Sequence, residues 1–387
     1  MNKKVGITSI IFLLATPALS AAEWSVDTVI GPSFGYDDNV LLQDDEQGSF
    51  DFSMRPTLVF GRAEENFSSY LSIGYSVERY ASLSRLDSEN PFITLTTDYQ
   101  MERTQFSLSA DYTKDTTRSE ALDNTGDFST NSTLRRRGIS PSISYQLTEV
   151  DTISTNFNYS ETDYSTSDFS STKTRALTLG WQRQFTERFS SGLNATASNY
   201  KSGALLFSNN DDSYNFALTL GYQLSELWSL EGNLGYRILN TERKGNFGTM
   251  SRDRSTGSSF SLLTIHEDEL NTMSLELSKE LSPSSEGNVN EQERITVSWS
   301  RELSERWRSG VTASYQETIS ATNNNSNNRK NLDFSPSLRW QFASNMGIDF
   351  KYHYRRQQTA SITNGDVDSN SISVTLDYDW DGIKASR

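Results

Sequence analysis

Three features of the 387-residue sequence predict an all-β chain, a transmembrane antiparallel up-and-down β-barrel of about 18 strands behind a cleaved signal peptide. A single long apolar run lies at the N-terminus, and nothing comparable follows it. Apolar or aromatic residues alternate with polar ones over stretches of roughly ten residues or more, long enough to cross a bilayer when tilted. A short polar turn recurs at near-constant spacing.

The leader comes first. Lys3 and Lys4 precede "VGITSIIFLLATPAL", and Ser20, Ala21 and Ala22 follow it. A basic start, a short apolar core and small residues before Glu23 describe a secretory signal spanning residues 1–22, with Ser20 as a second candidate cleavage position. Without Lys3 and Lys4 the mature chain carries 33 Lys and Arg against 50 Asp and Glu, a net charge of −17, which weighs against nucleic acid as a partner. Only 34% of the residues are hydrophobic, yet there are 20 Phe, 17 Tyr and 7 Trp. That aromatic content argues against disorder. With no cysteine, the chain has neither disulfides nor thiolate metal sites.

The strands are organised by the recurring turn. "YQLTEVDTIS" runs from Tyr145, "RQFTERFSSG" from Arg183, "YQLSELWSLEG" from Tyr222 and "RELSERWRSG" from Arg301. The shared acidic position falls at Glu149, Glu187, Glu226 and Glu305, giving spacings of 38, 39 and 79 residues. "HEDELN" (His266–Asn271) fills the long interval, "WQFASNMGID" from Trp340 is a looser copy, and "GRAEEN" and "QMERT" extend the series upstream. Longer polar segments such as "SEALDNTGDFSTNS", "KSGALLFSNNDD" and "TNNNSNNRK" lie between the turns. Eight short turns and the terminal strands give eighteen strands, sixteen at the low end, with nine long loops. Propeller blades repeat at a similar length, but their strands are short and apolar on both faces. Short turns belong in the periplasm and long loops outside, so both termini are expected in the periplasm.

The two faces of each strand identify its solvent. In "SNSISVTLDYDW", Ile372, Val374, Leu376, Tyr378 and Trp380 share one side, while Ser371, Ser373, Thr375, Asp377 and Asp379 share the other. A soluble sheet would need a second layer over its apolar face, and the sequence contains no amphipathic helix to supply one. Lipid covers it instead, and closure into a barrel leaves no backbone group unpaired. Trp181, Phe185, Trp228, Trp307 and Trp340 fit interfacial girdles. Pro32, Pro56, Pro141 and Pro336 fall within alternating runs, where breaks in the ladder are expected. The acidic pairs Asp44-Asp45 and Asp211-Asp212 are assigned to loops, where they could bind divalent ions that bridge lipopolysaccharide; simple solvation is the plainer reading.

The opposite face lines a lumen. Candidates are Asp51, Arg55, Glu78, Asp98, Glu231, Arg237, Glu276, Arg294, Arg308, Asp333, Arg339, Asp349, Lys351, His353 and Arg355, among many Ser, Thr, Asn and Gln. The signs are mixed, with no single-sign ring. Eighteen strands enclose an aqueous channel unless a loop or domain folds in. Enzyme chemistry has little to draw on, since only His266 and His353 are available, so no catalytic group, cofactor or metal is expected.

"GPSFGYDDNV", with "YDDNV" (Tyr36–Val40) its distinctive part, and the aromatic strands with "YQL[ST]E" turns resemble the β-barrel porin 2 family of outer-membrane barrels. That resemblance implies a Gram-negative outer-membrane location and a conduit exporting an extracellular or capsular polysaccharide. It also implies lipid and lipopolysaccharide, the barrel-assembly machinery and periplasmic polysaccharide-export proteins as partners. It assigns no catalytic or binding residue. Rival readings are a general diffusion porin for uptake of small polar solutes and a structural or adhesive barrel acting through its loops. One departure is the "DGIKASR" tail after Trp380, where such barrels usually end on an aromatic residue. The leader assignment predicts a mature N-terminus at Glu23, which the intact mass of the membrane-extracted protein checks.

Overall fold

The computed structural model describes residues 22–203, 207–245, 250–321, 328–359 and 365–386. The expected leader, except Ala22, lies outside the described residues. The strands are β1 (Glu23–Ile30), β2 (Pro32–Asp37), β3 (Ser49–Met54), β4 (Thr57–Glu64), β5 (Phe67–Tyr80), β6 (Ser88–Gln100), β7 (Thr104–Thr116), β8 (Thr133–Gln146), β9 (Asp151–Tyr164) and β10 (Ser171–Thr186). They continue with β11 (Phe189–Gly203), β12 (Phe207–Gln223), β13 (Trp228–Gly245), β14 (Met250–Glu267), β15 (Asn271–Pro283), β16 (Val289–Ser304), β17 (Trp307–Ser320), β18 (Arg329–Ala343), β19 (Met346–Thr359) and β20 (Asp366–Ser386). Each pairs antiparallel with its neighbours, and β20 closes the sheet on β1 and β2. β1 and β2 are one barrel strand interrupted at Gly31, as are β3 and β4 at Arg55-Pro56, so the 20 segments make 18 barrel strands.

Eight connections of two to four residues lie at one end, at the positions of the recurring turn. In the turn after β14, the Asp268 carboxylate accepts the backbone N–H groups of Leu270 and Asn271 at 2.9 and 2.7 Å, and these bonds hold its pKa down at about 2. His266 packs against Trp228 with ring centroids 4.5 Å apart and planes tilted by 32°, and it contacts Asp268, so it serves the turn.

Every proline among the described residues sits where a ladder breaks or ends, because the ring removes a donor. Pro32 and Pro56 flank the two interruptions. The β8–β9 ladder skips Ser140 and Pro141, and the β18–β19 ladder skips Ser335 and Pro336. The β6–β7 ladder stops just short of Pro91, and Pro283 is the last residue of β15.

The outward faces locate the membrane. Phe216 is 59% exposed and Leu234 62%, far beyond what a water-facing sheet of this size leaves open. On β12 the apolar side chains run from Tyr214 to Tyr222; beyond Tyr214, paired with Ile238, the next outward pairs are Asp212–Asn240 and Asn210–Glu242. Hydrocarbon therefore covers the strands near the short turns, and the strands continue past it. Trp307 and Trp340 stack at 5.7 Å near the short-turn end, as an interfacial girdle requires. The protein is a transmembrane β-barrel of a Gram-negative outer membrane.

Two assignments change. "KSGALLFSNNDD" is not simply a loop: Lys201–Gly203 end β11 and Phe207 onward begin β12. Asp211 and Asp212 therefore face opposite ways, with Asp211 buried and Asp212 accepting from Asn199 at 2.7 Å, so they form no joint ion site. The residues after Trp380 are also strand, pairing with β1 across a bulge between Val26 and Thr28. Gly382 faces that bulge with φ +52°, and a Cβ there would overlap the Val26 carbonyl. Gly382→Ala is expected to strain the closing seam by roughly 1–3 kcal/mol, lowering the temperature at which the folded band unfolds on semi-native gels.

Candidate functional site

The lumen is partly filled at the long-loop end. Three connections turn inward: residues 38–48 after β2, 117–132 after β7 and 284–288 after β15. The first begins in "YDDNV". Asp37 accepts from Asn39 N at 2.8 Å and Ser369 Oγ at 2.7 Å. Asp38 accepts from the backbone and side chain of Asn370 at 2.7 and 2.9 Å, and Asn39 Nδ2 donates to Asp368 O at 2.9 Å. The motif thus ties the first hairpin to β20. It then sends Val40, Leu41 and Leu42 inward, with Leu42 in a left-handed conformation at φ 50° that few bulky residues adopt. Two apolar clusters anchor the segment: Val40 and Leu41 with Leu83, Leu86 and Tyr80, and Leu42 with Ala121, Leu122, Phe128 and Val367.

The second connection crosses the lumen. Arg118 starts the crossing by donating to Phe128 O at 2.9 Å and Val40 O at 3.0 Å. On the far wall, Arg329 donates to Asn124 O at 2.6 Å and Leu122 O at 3.4 Å. Gln292 Nε2 reaches Asp123 O at 2.5 Å and Gln357 Nε2 reaches Gly126 O at 2.8 Å. Arg294 pairs with the Asp123 carboxylate and with Gln316. Gly126, at φ +75°, lies so close to Arg329 and Gln357 that a side chain would displace them. The contact layer is polar and deeply buried: Thr318, Asn331, Arg329, Gln316 and Gln357 are each under 5% exposed. Its backbone acceptors have found donors inside the barrel, which is what an irregular segment away from bulk water needs.

Several other lumen-face candidates meet in ion pairs. Arg339 Nη1 lies 2.9 Å from both Asp349 and Asp377. Asp333 holds His353 Nε2 at 2.8 Å and Arg355 Nε at 3.4 Å, and the Arg355 guanidinium sits 4.6 Å from the Phe128 ring. Arg237 pairs with Glu291. Arg308 and Glu302 meet at 2.6 Å near the short turns, Asp98 accepts from Ser107 Oγ at 2.6 Å, and Arg55 lies 4.1 Å from the Phe92 ring. Glu78 shares its surroundings with Asp51, Asp115 and Arg118. Glu231, Glu276 and Lys351 are exposed and form no ion pair among the described residues.

Both signs occur around the lumen, with Asp333 and Asp349 lying among the arginines of β18 and β19, but Asp51, Glu78, Asp111 and Asp115 on β3, β5 and β7 form no ion pair among the described residues. The side that carries Asp111 and Asp115 is open. Between β7–β10 and the crossing segment lies a cavity of about 600 Å³ lined by Asp111, Asp115, Glu120, Asp123, Arg136 and a hydroxyl and amide wall. Glu120 pairs with Arg136 and Asp123 with Arg294. Gly138 stands opposite Asp111, and its missing side chain lets that carboxylate lie across the strand. Sequence reading did not single out Asp111, Asp115 or Arg329, and it placed "SEALDNTGDFSTNS" among the long outer loops, whereas the segment turns into the lumen; Leu122 and Phe128 inside that polar stretch were the available signal. Among the described residues, no group of three or more His, Asp or Glu could hold a metal ion.

A family model described as "Putative MetA-pathway of phenol degradation" matches residues 146–366, more than half of the chain. No curated protein matches the sequence. Similar solved structures include Pseudomonas aeruginosa OpdQ, with 8% identity and a TM-score of 0.47 over 92% of this chain and 97% of that one. Acinetobacter baumannii OccAB4 has 11% identity and a TM-score of 0.48 over 96% and 100%. Pseudomonas aeruginosa OccK2 (OpdF), solved in complex with glucuronate, has 9% identity and a TM-score of 0.46 over 92% and 98%.

Arg329→Ala would leave the buried carbonyls of Leu122 and Asn124 without their donor, at about 1–3 kcal/mol. The crossing segment should then loosen, and faster trypsin cleavage at Arg118 in the detergent-solubilised barrel reports it.

Proposed function

The chain belongs to the family described as "Putative MetA-pathway of phenol degradation", and from that premise and the shape of its lumen we propose a passive outer-membrane channel for small polar solutes. The carrying observation is the segment 117–132, which spans the bore and leaves a cavity of about 600 Å³ along β7–β10. A polymer strand threaded outward needs a clear bore through the long-loop end, and here three inward connections occupy it. The family description concerns breakdown of a small molecule, which also favours small solutes over the polysaccharide conduit expected from sequence. We place the short turns in the periplasm, so that a solute entering from outside meets the partly filled end first. The lumen residues then act as a wall that replaces part of a solute's hydration.

The cavity also carries a sign. Four carboxylates face one guanidinium along its lining, and Asp111 and Asp115 have no basic partner there. A narrow passage with low-dielectric walls and surplus negative charge concentrates cations. Purified protein in planar bilayers should therefore conduct, with a reversal potential in a KCl gradient that marks preference for K⁺. Asp111→Asn with Asp115→Asn should move that potential towards zero. A silent bilayer would overturn the channel reading, and polymer accumulating in the periplasm of a deletion strain would restore the export reading.

A further inference from the structure

At one place the barrel wall parts. The β14–β15 ladder runs from Glu267–Thr272 to Phe260–Lys279 and stops. Beyond it, β14 continues to Met250 paired only with β13, and β15 continues to Pro283 paired only with β16. The far end of β15 has left β14 and turned inward, while β16 keeps its partner β17 up to Asn290–Ser320. The tip of the β15–β16 hairpin binds groups inside the barrel: Ser285 O accepts from Ser170 N, just before β10, at 2.6 Å, Gly287 O accepts from Ser202 Oγ of β11 at 3.0 Å, and Ser285 N donates to Asn124 Oδ1 of the crossing segment at 2.7 Å.

The ion pairs record the same displacement. Glu291 shares its strand face with Ile295 and Val297, which point to lipid. In an unbroken wall Glu291 would face outward. Instead it is 9% exposed and pairs with Arg237 from the inner face of β13. Lys279, its hairpin partner at 2.7 Å, also contacts Glu293. Gly257 on β14 leaves room for the Arg237 guanidinium, which a Cβ would approach to 2.8 Å. Among the described residues, Arg237 Nε and Nη1 have no hydrogen-bond partner. A buried ion pair adds little net stability relative to two hydrated charges, so this attachment can be released where water reaches both groups on opening.

We propose that the hairpin tip, residues 280–292, is a gate that moves between this inward seat and a place in the wall along the free edge of β14. The inference rests on the channel reading above and adds its regulation. Continuing the existing register sets Ser259 opposite Glu280, Ser258 opposite Leu281 and Gly257 opposite Ser282. Pro283 comes next, where a missing donor ends the ladder naturally. Leu281 would then turn to the outside beside Phe260. The backbone groups of the β14 edge gain partners in exchange for the tip's contacts inside. Lys279 and Glu291 travel together on the hairpin and the end of β17 follows β16, so opening breaks the Arg237–Glu291 pair, the bond from Gln292 to Asp123 O and the bonds of the tip to Asn124, Ser170, Ser202 and Asn209.

The chain has no native cysteine, so engineered pairs report single positions. Ser170→Cys with Ser285→Cys locks the inward seat; Ser258→Cys with Leu281→Cys forms a disulfide only in the zipped wall. In planar bilayers, oxidised S170C/S285C should conduct several-fold less than after reduction. S258C/L281C should cross-link, as non-reducing mass analysis would show, and its oxidised form should conduct several-fold more. Glu291→Gln should raise the open fraction without any cross-link. Conductance unaffected by a verified S170C/S285C disulfide, or failure of S258C/L281C to cross-link, overturns the gate while the channel stands. Absence of conductance in all reduced forms removes the channel and the gate with it.

Discussion

The barrel wall follows from one requirement: backbone N–H and C=O groups within hydrocarbon must be paired inside the protein. Antiparallel ladders meet it only when the last strand finds the first, and β20 does so along both β1 and β2. Once the ladder is closed, alternation does the rest, giving one face to lipid and the other to the lumen. The same requirement explains where the prolines lie. A residue without an N–H is tolerated where the ladder is interrupted or finished, and Pro141 and Pro336 each keep one neighbour while the other ladder skips them.

The lumen obeys a different rule, because it is wet. Segments there need not be regular, provided that their polar groups find partners and some apolar surface anchors them. The crossing segment meets both conditions. Ala121, Leu122 and Phe128 pack with Leu42 and Val367, and side chains of the opposite wall cap its carbonyls. Arginine suits that task, since one planar guanidinium can serve two carbonyls, as Arg329 serves Leu122 and Asn124. Arg294 and Arg329 hold the segment from beneath, and Asp111 and Asp115 lie on its open side.

The strand count, the turns and the two faces were legible because each depends on neighbours a few residues apart. The "YQLTE" and "RELSE" turns and the period-two runs carry their signal locally. What sequence reading missed depends on residues far apart in the chain. Nothing near Asp123 announces that it will meet Arg294, and which lumen carboxylates find a guanidinium is decided only after strands are placed around a circle. The reach of the strands was also hidden. Lys201 and Asp212 look like loop residues because the strand there has passed beyond lipid, where polar side chains on both faces cost nothing. "YDDNV" is the reverse case: its acids and amide form a knot between distant parts of the chain and have no chemistry of their own.

That knot bears on how the molecule is made. Asn39 and Asp368 are 329 residues apart, so the opening hairpin emerges long before its fastening does. Until the final strand is delivered, the early segment has nothing to clasp and the entrance cannot be dressed. A molecule cut short at any upstream point therefore keeps its first hairpin unfastened and its sheet edge unpaired.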